Sequence, residues 1–365
     1  MFDLESEVIS QGLCTFCGAC ATVCDRIRMD REAGVPKFEG ICQEEKMCVN
    51  VCPRLSLDVE SLETSLFGEQ RTDHTLGVYE KTIRARSKDA KIVKGAQSGG
   101  FVSSLLISAL EKGLIDGAIV ASSDFMKDEE PYPIVATSKE DILAASGSKY
   151  TPTPAILGLK QAAEEGYQKI ALVGLPCHIE ALRNLQTCQF DFAAANRVVL
   201  TIGLFCSKSF SYSPLMQVSK EMVGKEKIKK FDCKGANFYI FTEEKEYKVP
   251  LKELDEHARE GCRYCIDYTA ELADISVGSV GSPAGYSSVI IRDKNGLDAV
   301  NLAVKQGYIE TEDNDSEDID KIRKQALKKK KKGFKKIISR VSPIKLGHLV
   351  LTPNQLRIEP SLEQT

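Results

Sequence analysis

Tryptophan is absent from these 365 residues, and histidine occurs four times. With so little imidazole, a metal site here must be built from sulfur, which points to iron–sulfur clusters or zinc. Long apolar runs are missing too: stretches such as VVLTIGLF at 198–205 fall far short of the ~20 residues needed to cross a bilayer. There is no basic excess, since 49 Lys and Arg face 52 Asp and Glu for a net charge of −3. That balance gives no reason to expect a nucleic-acid partner. The opening residues, MFDLESEVIS, have neither the basic start nor the apolar core of a secretion signal. A cytoplasmic globular protein is expected, long enough for two domains.

What the chain does have is cysteine. Thirteen of them, an odd number clustered at short gaps, are poorly explained by disulfides in a reducing compartment. Isolated ones, such as Cys188 and Cys233, read as small buried hydrophobes. Residues 14–24, CTFCGACATVC, place Cys14, Cys17, Cys20 and Cys24 at gaps of two, two and three. This is the bacterial ferredoxin spacing, in which three ligands serve one cluster and the fourth crosses to the other. Zinc prefers two separated cysteine pairs, so the third cysteine at the same short gap favours iron–sulfur.

A second run, CQEEKMCVNVCP, supplies Cys42, Cys48 and Cys52 but has Glu45 where a fourth cysteine would stand. Pairing the runs gives Cys14, Cys17, Cys20 and Cys52 to one [4Fe–4S] cluster. The other would take Cys24, Cys42 and Cys48 with Glu45 at the fourth corner. It could be a [3Fe–4S] cluster, a [4Fe–4S] cluster with a carboxylate ligand, or an empty half. Retention of three cysteines disfavours the last, and a carboxylate, a harder ligand than thiolate, would leave its iron labile. Asp25, where the ferredoxin pattern has proline, is a further departure. Residues 1–54 thus read as a ferredoxin-type module, and the polar, aperiodic stretch 55–80 as a linker wrapping onto the main domain.

From residue 81 strands and helices alternate. QSGGFVSSLLISALEKGLIDGAIVASS (97–123) holds a Gly–Gly turn, an amphipathic helix and a strand; PTPAILGLKQAAEEGYQKIALVGLPC (152–177) repeats that order. RVVLTIGLFC (197–206) is a buried strand, and ADISVGSVGSPAGYSSVIIR (273–292) a strand, a Gly/Ser loop and a strand. Such alternation favours a mixed or parallel sheet with covered faces. Cys177 and Cys206 each follow the C-terminal end of a strand, where open α/β sheets bind ligands. Cys262 and Cys265, in GCRYC, are a third contributor, and the four thiolates could close one further [4Fe–4S] site. A CxxC pair alone would equally suit zinc or a redox disulfide. The loops AQSGGF, GSKYTP and GSVGSPAGYSS can bring backbone amides close to phosphates or a flat ring, though none is a GxGxxG or P-loop motif.

QSGGFVSSLLISALEKGLIDGAIV, GSKYTPTP, LVGLPCHIEALR, IGLFCSKSFSY and CRYCIDYTAELADISVGSVGSPAGYSSVIIR resemble, in order, the beta-subunit family of coenzyme F420 hydrogenases and dehydrogenases, over roughly residues 80–305. The resemblance implies an F420-dependent oxidoreductase, of the F420H2 dehydrogenase or F420-reducing type, with FAD and iron–sulfur clusters. The fold it implies is α+β or α/β: a mixed-sheet FAD-binding domain of this type over 81–310, preceded by a small ferredoxin-like module with two Fe–S sites. It implies that Cys177, Cys206, Cys262 and Cys265 ligate the cluster beside the flavin. Ser98, Gly99, Gly100, Ser148, Lys149, Tyr150, Gly278, Ser279, Val280, Gly281 and Ser282 would hold FAD. His178, where relatives often have Gln, receives no role, and Lys149 has a plain alternative as a solvated surface lysine. Hydride would pass between F420 and FAD, and single electrons through the clusters to a partner: a dehydrogenase or hydrogenase complex, or ferredoxin. No side chain is expected as an essential acid or base, the hard chemistry belonging to the cofactors. The same scaffold could instead reduce another substrate, as chlorophyll reductases of the family do, or serve as a relay without F420 chemistry.

Residues 311–365 read as an acidic and then lysine-rich tail. ETEDNDSEDID is followed by KIRKQALKKKKKGFKKIISR at 321–340, a pattern usually solvated or disordered. A basic helix carrying Leu327, Phe334, Ile337 and Ile338 could alternatively rest on anionic headgroups at the inner face of the membrane, or on an acidic partner.

Overall fold

The computed structural model describes residues 3–40, 47–127, 129–188 and 192–340. A small hairpin, β1 (Ile27–Asp30) and β2 (Val35–Phe38), belongs to the cysteine-rich module. The body is an eight-stranded mixed sheet built from β3 (Lys81–Ser87), β4 (Gly117–Ser122), β5 (Tyr132–Ala136), β6 (Ile170–Gly174) and β7 (Val198–Leu204). A separate three-stranded antiparallel sheet holds β8 (Lys230–Lys234), β9 (Asn237–Phe241) and β10 (Glu246–Pro250). The main sheet is completed by β11 (Ile275–Gly278), β12 (Ser287–Ile291) and β13 (Ile309–Asp313).

Strand order in the large sheet is β13-β3-β12-β11-β7-β6-β4-β5. The inner four, β11, β7, β6 and β4, run parallel, and antiparallel strands flank them on both sides. IALVG and GAIVAS are nearly continuously apolar because helices cover both faces, as parallel strands require. On one face, Phe101–Glu111 and Lys294–Lys305 pack over Ile83, Leu200, Ile202 and Val289; on the other, Gly158–Glu164 and Pro176–Thr187 pack over Ile119, Ile170 and Leu172. Parallel register brings the C-terminal ends of β6, β7 and β11 to one edge, and the loops beyond them carry Cys177, Cys206 and Ser279.

Two segments depart from the sequence expectations. Within 55–80, Val59–Phe67 is a helix capped by Asp58, with Val59 and Leu62 buried against the second core. Its apolar spacing is helical, but only two turns long. Arg292, fully buried, then donates to the carbonyls of Leu76 (2.8 Å) and Val78 (2.7 Å), fixing this segment to the body. It is an integral layer.

The second departure is the basic segment, of which Ser316–Arg340 is one helix lying on the body. Ile322, Ala326, Lys330, Phe334 and Ile337 form its buried stripe, spaced at four, four, four and three. Lys330 pairs with Glu271 at 2.5 Å, and Arg323 with Asp73 at 2.9 Å. Gly333 sits where a Cβ would stand 2.9 Å from the Cys265 carbonyl and 2.8 Å from Ile266 Cγ2, so the helix reaches the cysteine loop only because this residue has no side chain. The apolar side chains offered to a membrane by the sequence are therefore mostly spent on the protein; Ile338 alone of the four is exposed. No helix among the described residues is long and apolar enough to cross a membrane.

Candidate redox site

A cavity of ≈470 Å³ opens at the shared C-terminal edge of β6, β7 and β11, in the size range of cofactor sites. Of the residues expected to hold FAD, Ser98, Gly100, Ser148, Lys149, Tyr150, Gly278, Ser279 and Val280 line it. Gly99, Gly281 and Ser282 do not. Gly99 lies behind the wall, where a Cβ would stand 2.6 Å from the Ala85 carbonyl and 2.8 Å from the Ser287 amide. Gly281, at φ +95°, packs against Ile322 and the Asp318 carbonyl of the C-terminal helix, and Ser282 shares a 2.6 Å hydrogen bond with Ser288. These three shape the loops that the others present.

The polar groups of the cavity have identifiable states. Burial pulls the Lys149 ammonium down to about 8. It donates a 3.0 Å hydrogen bond to the Ser146 carbonyl and makes no ion pair among the described residues. A largely buried cation with one carbonyl partner suits a phosphate. Tyr150, held at φ +58°, accepts from the Cys233 amide at 3.0 Å, and Gln97 donates to Asp232. The small β8–β10 sheet thereby closes one side of the cavity. That sheet carried no sequence signal; Gln97 stands in the AQSGGF loop without being singled out, and Cys233 reads from the sequence only as an isolated buried hydrophobe. His178 also lines the cavity; its Nδ1 accepts from the Leu175 amide at 3.1 Å, and burial keeps the ring neutral, down to about 4.

Cys206 lines the same cavity and belongs to the core set of thiols. Cys177 sits in the first turn of Pro176–Thr187, and Cys262 and Cys265 in and after a short 3-10 helix, Glu260–Tyr264. Burial, together with the mutual repulsion of Cys177, Cys206, Cys262 and Cys265, raises the thiols of Cys177 and Cys206, the latter to about 12. The scaffold under them is rigid. Arg183, on the Cys177 helix, pairs with Asp274 at 2.7 Å, and the other Asp274 oxygen accepts from the Thr201 amide of β7 at 2.7 Å. One buried ion pair thus fixes the helix bearing Cys177 to the strand leading to Cys206.

The N-terminal module docks directly onto this site. Cys17 accepts through its carbonyl from the Ile156 amide at 3.1 Å, and a side chain at Gly18 would strike Pro154. Arg259 donates to the carbonyls of Cys14 (3.2 Å) and Gly34 (2.7 Å). Cys14, Cys17, Cys20 and Cys52 wall one small cavity together. Burial and their mutual proximity raise the thiols of Cys17, Cys20 and Cys52, Cys17 to about 11. Cys17 also raises Cys177, so the two sets are electrostatic neighbours. Cys24 and Cys48 join the same apolar cluster, partly buried, whereas Cys42 and Glu45 lie outside the described residues.

Each set offers four sulfur donors, and burial raises the thiols of Cys14, Cys17, Cys20, Cys52, Cys177 and Cys206, a cost that a bound cation would offset, so the donor chemistry of both sets fits a metal cluster. Among the described residues no three His, Cys, Asp or Glu side chains converge as they would on a single ion. A four-iron cubane binds one thiolate at each corner and spreads them more widely than zinc, which gathers its sulfurs at ~2.3 Å around one centre.

The sequence matches the family "Coenzyme F420 hydrogenase/dehydrogenase, beta subunit" in two blocks, the family's N-terminal part over residues 82–160 and its C-terminal part over 167–317. The chain is 38% identical over 273 residues to the coenzyme F420 hydrogenase subunit beta of Methanothermobacter thermautotrophicus, covering 73% of this chain and 96% of that one. It is 34% identical over 351 residues to a coenzyme F420-dependent sulfite reductase of Methanocaldococcus jannaschii, covering 90% of this chain and 51% of that protein. A chain in the structure of the F420-reducing [NiFe] hydrogenase complex from Methanosarcina barkeri superposes with a TM-score of 0.69 at 37% identity, covering 73% of this chain and 94% of that one. The chain belongs to the coenzyme F420 hydrogenase/dehydrogenase beta-subunit family.

Proposed function

We propose that the protein is an F420-dependent oxidoreductase subunit that exchanges a hydride with F420 at an FAD in the cavity and passes single electrons outward through its cysteine-bound clusters. One observation carries this reading: Cys206 is at once a wall of the cavity and a member of the core thiol set, which adjoins the Cys14, Cys17, Cys20 and Cys52 set through Cys17. Cavity, core site and outer site therefore follow one another through packed protein. FAD would supply the conversion between a two-electron hydride and one-electron steps, which a cluster alone cannot perform.

The residues have supporting tasks. Lys149, Ser98, Gly100 and the 278–280 loop hold the anionic part of the cofactor. The neutral His178 and the apolar walls keep charge and water away from the ring. Tyr150 fixes the closing sheet through its hydrogen bond to the Cys233 amide. No carboxylate among the lining residues is placed to act as acid or base.

The electron acceptor is a separate redox protein. The family relatives include a chain of a hydrogenase complex, and the sulfite reductase relative is about twice as long as the segment it shares with this chain. The test is F420H2-dependent reduction of a one-electron dye by protein reconstituted with iron, sulfide and FAD. Omission of either FAD or iron should abolish it. Dye reduction without FAD would refute the reading.

A further inference from the structure

We propose that Arg54 and Lys329 are paired charge-tuning residues: Arg54 lies between the two four-cysteine sites and raises the reduction potential of both clusters, while Lys329 raises that of the core cluster alone. This rests on the reading of the two cysteine sets as cluster sites and goes beyond it.

Arg54 follows Cys52 by two residues and turns inward. It lines the cavity walled by Cys14, Cys17, Cys20 and Cys52, and also a cavity of ≈80 Å³ whose charged lining is Glu180, Asp267, Glu271, Arg71 and Lys330. Its field reaches Cys14, Cys17 and Cys52 on one side, and Cys177 and Cys265 on the other. Nε and Nη2 are shielded from water and have no hydrogen-bond partner among the described residues. A buried guanidinium with orphaned N–H groups is costly unless an acceptor is supplied. The sulfurs of a bound cluster are such acceptors. A guanidinium keeps its proton at any accessible pH, so this positive charge is fixed.

Lys329 comes from the C-terminal helix. Its stem is partly exposed, but its ammonium is enclosed and donates to the Cys206 carbonyl at 2.6 Å. That hydrogen bond places the ammonium against the backbone of a core cysteine. The two cations between them address all four core cysteines, and the cysteines that act on Lys329 belong to the core set. A reduced cluster carries one more negative charge than an oxidised one, so fixed positive charge and N–H···S contacts in a low-dielectric interior favour reduction. The lysine-rich segment that reads as a solvated tail thus delivers a cation to the centre of the electron path.

The experiment is an EPR-monitored redox titration of the full reconstituted chain. Core signals are assigned with a Cys262→Ala/Cys265→Ala double variant. Lys329→Arg should leave the core midpoint near wild type; Lys329→Met should lower it and Lys329→Glu lower it further, with the N-terminal midpoint unmoved in all three. Arg54→Met should lower both midpoints, and Arg54→Lys should restore part of the shift. If Arg54→Met fails to retain iron, Arg54→Gln takes its place: unmoved midpoints in an Arg54→Gln protein with wild-type iron and sulfide would overturn the Arg54 half, while the Lys329 series decides the other. Wild-type iron and sulfide contents with unchanged midpoints across the Lys329 series would overturn the tuning role and leave the cluster sites standing. A wild-type protein that binds no iron and sulfide would overturn both.

Discussion

Replacing Lys330 by Met should loosen the C-terminal helix from the body by a measurable amount. Lys330 is 2% exposed, and its ammonium meets Glu271 Oε1 at 2.5 Å, in a cluster where Arg71 pairs with both Glu63 and Glu271. Burial alone would raise the Glu271 carboxyl, but Lys330 and Arg71 together hold it below its ordinary value. Breaking a buried pair by removing one partner costs ~3–5 kcal/mol. Arg71 stays behind, so the lower end, ~3 kcal/mol, applies, equivalent to ~10²-fold in the opening equilibrium of the helix. Amide hydrogen exchange of peptides from 316–340 reads that quantity directly. Lys332→Met, at an exposed position on the same helix, should change exchange by less than about threefold. Equal protection in the Lys330→Met and Lys332→Met proteins would refute the buried network as the fastening.

Further outcomes are expected at three other places. Lys149→Met should weaken FAD binding about tenfold or more, the worth of a charge-assisted hydrogen bond, measured by flavin fluorescence. FAD affinity should also fall as pH rises past about 8, where Lys149 loses its proton in the ligand-free protein. Because that pKa lies below its unfolded value of 10.5, the ligand-free protein should gain stability between about pH 8 and 10, where the unfolded chain binds the extra proton; a pH-independent Kd would count against this assignment. Gly333→Ala, which favours an exposed helix by ~1 kcal/mol, should instead destabilise this one through the Cys265 carbonyl and Ile266 in thermal unfolding. A Cys262→Ala/Cys265→Ala protein should still bleach its flavin with F420H2 yet lose dye reduction in stopped-flow assays.

The sheet, and the placing of Cys177 and Cys206 at one edge of it, were legible because their signals are local. Strand-like runs such as KIALVG and VVLTIGL ended at Cys177 and Cys206, and parallel register alone brings such ends together. The spacing of Cys14, Cys17 and Cys20 likewise announces a wrapped loop. The C-terminal helix was not legible, since Lys329 and Lys330 in a run of five lysines look like every other solvated lysine. What distinguishes them is a carbonyl and a carboxylate 123 and 59 residues away. The helix at 59–67 was hidden by its shortness and by Glu63, whose burial makes sense only beside Arg71. Among the loop residues, Gly99, Gly281 and Ser282 share the composition of their neighbours. Whether a glycine faces a cavity or the protein behind it depends on tertiary packing.

The order in which electrons move is the central matter. The direct measurement is a single-turnover anaerobic reaction of the reconstituted protein with F420H2, following flavin absorbance by stopped flow and cluster EPR signals by rapid freezing. Flavin bleaching should come first, the core cluster signal should follow, and the signal of the Cys14, Cys17, Cys20 and Cys52 site should come last. Cluster signals that rise before or without flavin bleaching, or a flavin that F420H2 leaves oxidised while dithionite reduces it, would contradict the account.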